Sequence, residues 1–121
     1  MQLFCSPYLE FIRNTALALP AVTEKLCFDT PAFYVSHKLF ARLNEDGETL
    51  VLYSTDREQW MKEDPETFFI TAHYRNYKYV LIALSNIKPN LLETMLENAW
   101  RERASAKLCK ELDQRQLNQN E

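Results

Sequence analysis

Gly47 is the only glycine in 121 residues. The dinucleotide-binding fingerprint and the Walker loop each need several glycines to bring backbone N–H groups against phosphate, so neither is present. Cysteine and histidine are almost as scarce. Cys5, Cys27 and Cys109 are odd in number, widely spaced and never in a CxxC pair, which points to free thiols in a reducing cytoplasm. His37 and His73 have no ligand-type residue paired with them at helical spacing, so no metal site and no cofactor are expected. No apolar run approaches the roughly 20 residues of a membrane span. Met1 to Leu19 carries Glu10 and Arg13 and lacks the continuous apolar centre of a signal peptide. An excess of positive charge is missing as well: 14 Lys and Arg face 17 Asp and Glu, a net charge of −3, against strong non-specific DNA binding by the chain as a whole.

What is present suffices for one folded domain, with 46% hydrophobic and 12% aromatic residues. Ser6-Pro7 reads as a helix start, and Leu9, Ile12, Ala16 and Leu19 form the apolar stripe of the helix that Pro20 ends. Strands are expected at 23–28, 32–36, 38–44 and 50–53. A tight turn lies at Ser36-His37, a primed hairpin turn at Asp46-Gly47, and Leu39, Ala41 and Leu43 share a face opposite Phe40 and Arg42. Asp56-Arg57-Glu58-Gln59 has capping-box form and opens a short helix ended by Asp64-Pro65. Strands at 67–70 and 78–84 follow, the second apolar on both faces and hence central. Pro89 opens a helix whose stripe is Leu91, Leu92, Met95, Leu96, Ala99 and Trp100, and a weaker helical pattern runs on beyond Ser105. The expected architecture is a single α+β domain over residues 1–121, in the order α-β-β-β-β-α-β-β-α-α. An antiparallel sheet has the helices on one face, with a core over 6–112 and a frayed tail at 113–121.

No catalytic constellation emerges. A Cys27–His37 pair across strands is conceivable, but a small buried thiol and an exposed turn histidine account for both residues. Glu45-Asp46 and Glu63-Asp64 flank turns and read as solvated loops. One stretch differs: residues 67–92 carry three cations and no carboxylate in an otherwise acidic chain. Within it, His73-Tyr74-Arg75-Asn76-Tyr77-Lys78 gathers two phenols, an imidazole, an amide and two cations at a strand junction. Two readings fit: tyrosines packing the core with their hydroxyls at the rim, or an exposed surface that stacks on bases and pairs with anions.

Several short motifs occur together and in order: Leu19-Pro20; Thr30-Pro31-Ala32-Phe33; Lys38-Leu39-Phe40-Ala41-Arg42-Leu43; Asp64-Pro65-Glu66 with Phe68-Phe69 and Thr71; His73-Tyr74-Arg75 with Tyr79-Val80; and Ala99-Trp100. The set, spanning about residues 11 to 108, resembles the MmcQ/YjbR-like family. That resemblance implies a CyaY-like fold and a small bacterial protein of the kind described as DNA-binding, with a double-wing arrangement. The sequence departs from the family where a glycine and a proline usually follow the Tyr-Arg pair; Asn76 and Lys78 stand there instead, and asparagine tolerates the positive φ of such a turn.

The resulting expectation is a non-enzymatic, monomeric binding module. It contacts DNA weakly and salt-dependently through His73, Tyr74, Arg75, Asn76, Tyr77 and Lys78, with Lys38 and Arg42 extending the patch. The alternative is an adaptor for a protein or small ligand, with no nucleic-acid activity and with Glu58, Glu63, Asp64 and Glu66 facing a basic partner. Arg75 is further expected to tie its glycine-free turn together, because a guanidinium carries five donors.

Overall fold

The computed structural model describes residues 6–119. Helix α1 spans Leu9–Leu17 and is followed by strands β1 (Val22–Cys27), β2 (Thr30–Val35), β3 (Lys38–Leu43) and β4 (Thr49–Tyr53). Helix α2 (Arg57–Glu63) precedes β5 (Phe68–Phe69) and β6 (Tyr79–Ala83), and the chain ends in α3 (Pro89–Arg103) and α4 (Ala106–Gln119). All pairings are antiparallel, in the spatial order β1-β2-β3-β4-β6-β5. The result is one α+β domain with the expected element order. The strand apolar on both faces, β6, is interior as expected, between β4 and β5.

The first two hairpins turn without glycine. Cys27 pairs with Thr30 and Val35 with Lys38, so each connection has two central residues. Those residues, Phe28-Asp29 and Ser36-His37, all have positive φ between 50° and 65°. Primed turns of this kind match the strand twist but demand left-handed backbone, which costs roughly 1–2 kcal/mol for a residue with a Cβ. Gly47 (φ 68°) lies in a wider connection than the expected two-residue turn, because Asn44 N–H bonds to Thr49 O at 2.8 Å and Gly47 N–H to Asn44 O at 3.0 Å. Asp46 holds that loop with its carboxylate, which accepts the N–H groups of Glu48 and Thr49 and the Thr49 hydroxyl at 2.8–3.0 Å.

Strict alternation fails once, in β3. Phe33 pairs with Ala41 but Tyr34 with Leu39, leaving Phe40 as an extra, bulged residue. The bulge turns Phe40 into the core beside Ala41 and Leu43, whereas the period-2 pattern placed it on the opposite face. Sheet residues Phe33, Leu50, Leu52, Val80 and Ile82 meet Ile12 and Ala16 of α1 and the Leu92, Met95, Leu96, Ala99 and Trp100 stripe of α3. Trp100 is fully buried, and its indole N–H reaches Pro20 O at 3.0 Å.

Three helix ends depart from expectation. α1 begins at Leu9, because the Ser6 hydroxyl accepts Tyr8 N–H at 3.2 Å and donates to Gly47 O at 2.5 Å. The capping box at α2 does not close: the Asp56 carboxylate accepts the Ser54 hydroxyl at 2.7 Å, and the Gln59 amide turns to Glu63. α4 is helical through Gln119 rather than frayed from residue 113. Leu112 is buried, Arg101 donates to Asp113 at 2.8 Å, and the Gln116 amide reaches Glu97 at 2.9 Å. Cys27 and Cys109 are free and half-buried, while Cys5 lies outside the described residues. Among the described residues no helix is long and apolar enough to cross a membrane.

Candidate functional site

From Phe69 the chain makes a single-turn helix at Ala72–Tyr74 and reaches β6 at Tyr79. Three successive tight bonds shape it: Tyr74 N–H to Thr71 O, Arg75 N–H to Ala72 O, and Tyr77 N–H to Tyr74 O, at 3.0–3.3 Å. This winding turns several carbonyls toward one point, and a guanidinium occupies that point. It belongs to Arg57, at the first position of α2, not to Arg75. Arg57 donates to Tyr74 O at 2.8 Å, Tyr79 O at 2.9 Å, Arg75 O at 2.8 Å and Tyr77 O. Its side chain is 11% exposed. The staple expected of Arg75 is therefore supplied from eighteen positions earlier. A local reading put Arg57 inside a capping box. The usable signal was the turn's own need for donors, together with the Tyr53–Tyr79 pairing that sets the start of α2 beside the start of β6.

With its carbonyls held, the turn presents its side chains outward. His73, Arg75, Asn76, Tyr77 and Lys78 are exposed, Tyr77 by 57%. Among the described residues neither the Arg75 nor the Lys78 side chain has an ion-pair or hydrogen-bond partner. Arg75, Asn76, Tyr77 and Lys78 line an open cleft of about 320 Å³ against Thr55 and Glu58. The His73 ring meets Tyr74 edge-on at 4.7 Å and Tyr77 at 6.2 Å. Lys38 joins this end of the sheet: β3 and β6 run in the same direction, and the Tyr79 hydroxyl donates to Leu39 O at 3.1 Å. Lys38 is exposed and, among the described residues, unpaired.

Arg42 and Tyr74 do not belong to the exposed patch. Arg42 is 6% exposed, lying on the sheet face away from the helices. It donates to the Thr30 hydroxyl at 3.0 Å and the Tyr74 hydroxyl at 2.9 Å, with Glu45 at 3.6 Å. Burial works against its charge, but the Tyr74 hydroxyl, Glu45 and the Cys27 thiol more than offset this and raise its pKa. Its donors serve the fold, and Tyr74 is half-buried as their acceptor. The same face carries Tyr34, which burial and the neighbouring Cys27 thiol push up, and Tyr79, which burial pushes up against the opposing pull of Arg103. The Arg103 guanidinium lies 4.3 Å over the Tyr53 ring, and Tyr53 packs edge-on against Tyr79 at 5.5 Å. Cys27 and His37 stand at opposite ends of β2, which excludes the nucleophile–base pair. Among the described residues no three His, Cys, Asp or Glu side chains gather to hold a metal.

An antiparallel sheet covered by helices on one face, with an ordered basic and aromatic turn at one end, defines a small single α+β domain. The YjbR family model matches residues 17–102, and the chain belongs to that family. Its fold is similar to the crystal structure of protein DR2400 of Deinococcus radiodurans, a DUF419 domain. The TM-score is 0.66 and the identity 20%, over 76% of this chain and 75% of that one. No curated protein matches the sequence.

Proposed function

We propose that the protein is a non-enzymatic nucleic-acid-binding module working from the β5–β6 turn and the neighbouring start of β3. The observation that carries this reading is the division of labour between arginines. Arg57 holds the carbonyls of the turn, which leaves Arg75, Lys78 and Lys38 free for an external anion, beside the open rings of His73 and Tyr77. Unpaired cations displace counterions from phosphate, and open aromatic faces stack on bases of any sequence. His73 faces tyrosine rings rather than a serine, cysteine or carboxylate, which supports binding over catalysis.

Three free cations set the scale of the interaction. Neutralising about three phosphates gives a slope of log K on log salt of roughly −2.1 for a single strand and roughly −2.7 for a duplex, so affinity falls about 20- to 40-fold between about 50 and about 200 mM salt. Fluorescence anisotropy with labelled single-stranded and duplex oligonucleotides reads this directly. Arg75→Ala or Lys78→Ala is expected to flatten the slope by just under one unit. A wild-type chain that binds neither oligonucleotide at low salt refutes the reading.

A further inference from the structure

Phe28 stands in the first central position of the β1–β2 hairpin with φ 50°. Glycine and asparagine take this left-handed conformation readily; a bulky aromatic residue does so only under constraint. Packing within the chain does not account for the choice, since Phe28 is 78% exposed. Backbone strain at an exposed side chain marks a position where the side chain acts on something outside the fold.

The ring is nonetheless placed. Its centroid lies 5.7 Å from the Arg42 guanidinium carbon, and Arg42 donates to the Tyr74 hydroxyl at 2.9 Å. Tyr74 in turn meets His73, and His73 lies beside Tyr77. Arg42 and Tyr74 thus link Phe28 in the β1–β2 hairpin to His73 and Tyr77 in the β5–β6 turn, over a sheet face whose strand residues Ala32, Arg42, Val51 and Leu81 are themselves buried. Lys25, 5.6 Å over the Tyr34 ring, flanks this link with a cation that has no carboxylate partner among the described residues.

We infer that Phe28 is a base-stacking platform, and that the ligand of this surface is a single-stranded nucleic acid running over the exposed rings of Phe28, His73 and Tyr77. The inference rests on the proposed function and narrows it. A duplex keeps its base faces inside its own stack and is read through its grooves, whereas a single strand offers those faces to exposed rings. Exposed rings on two separate turns, each free to take a base face, suit the second.

The test uses the full chain with Phe28→Asn and Phe28→Trp. Asparagine relieves the strain, so that variant is expected to melt a few degrees above wild type while binding a labelled single strand about five- to hundred-fold more weakly, the span of one lost stacking contact. Tryptophan is expected to keep the affinity, and its added fluorescence to be quenched by the strand. Wild-type affinity in Phe28→Asn, an unquenched Trp, or a duplex bound as tightly as the single strand overturns the inference. Should Arg75→Ala weaken binding while Phe28→Asn does not, the inference falls and the proposed function stands. If the wild type binds no nucleic acid, both fall.

Discussion

Arg57→Ala removes the side chain that holds the backbone carbonyls of the β5–β6 turn. Four carbonyls lose the guanidinium, those of Tyr74 (which keeps the Tyr77 N–H) and Tyr79 in half-buried bonds and those of Arg75 and Tyr77 in exposed ones. Exposed carbonyls recover water at once and contribute little. A hydrogen bond from a charged donor is worth about 1.5–3 kcal/mol, so the two half-buried bonds, taken at the lower end, give about 3 kcal/mol. For a domain of this size, about 1 kcal/mol moves Tm by roughly 3–5 °C, which predicts a fall of about 10 °C. Arg57→Lys keeps the charge but cannot fan a planar fork across four oxygens, and is expected to recover at most half of the loss. Arg75→Ala, by contrast, is expected to stay within about 0.5 kcal/mol of wild type, as an exposed side chain without a partner should. Thermal melts followed by circular dichroism measure all three, and amide exchange over residues 72–78 shows whether the loss is local. The reasoning is refuted if Arg75→Ala costs as much as Arg57→Ala, or if Arg57→Ala melts with the wild type.

Three further outcomes follow from buried or bonded groups. Arg42→Met strips the donor from the Tyr74 and Thr30 hydroxyls and is expected to cost about 2–3 kcal/mol in urea denaturation; a cost below about 0.5 kcal/mol would show that Arg42 is not a structural residue. Asp46 works through linkage. Burial raises its pKa, but the Glu48 and Thr49 N–H groups and the Thr49 hydroxyl outweigh burial and hold it below the usual value. Its contribution is therefore present above about pH 4 and lost as pH falls through the lower folded value, so Asp46→Asn should flatten this acid-side loss; an unchanged profile contradicts it. Tyr34 and Tyr79 have folded pKa values raised first of all by burial, so they ionise later than free tyrosine, and stability falls as pH rises above about 10. Phenolate absorbance in Tyr34→Phe and Tyr79→Phe locates the delayed titrations, and their absence would contradict the burial argument.

Periodic segments were legible because their signal is repeated. The α3 stripe from Leu92 to Trp100 is buried residue for residue, and β6 is interior as its apolar run implies. Single-residue events were not legible. The Phe40 bulge breaks alternation without any turn residue to announce it, and Phe28-Asp29 makes a primed turn from a residue whose intrinsic preference opposes it. At the candidate site, the exposed members of 73–78 could be read from composition, because a cation-rich, carboxylate-free stretch at a strand junction is a local pattern. The burial of Arg42 and the reach of Arg57 into the turn were not, since both depend on strand register. A guanidinium on a strand face looks the same in sequence whether solvent or Tyr74 lies above it.

The strand order carries a consequence for how the surface forms. Strands β1 to β4 follow one another as neighbours and can zip from their own turns, but β5 precedes β6 in the chain and pairs only with it, on its outer side. The two residues of β5 therefore have no strand to pair with until β6 has closed against β4. Long-range pairing of this kind comes late in folding, and the elements it secures are the first to open from the native state. Native-state amide exchange is expected to be slowest at Leu81 and Ile82 and fast from Phe69 to Lys78, an ordering that uniform protection would contradict. The surface proposed to bind nucleic acid would then be a segment the fold releases without unfolding. A ligand that closed on it would register as slowed exchange across residues 69–78, well before any change in the melting of the core.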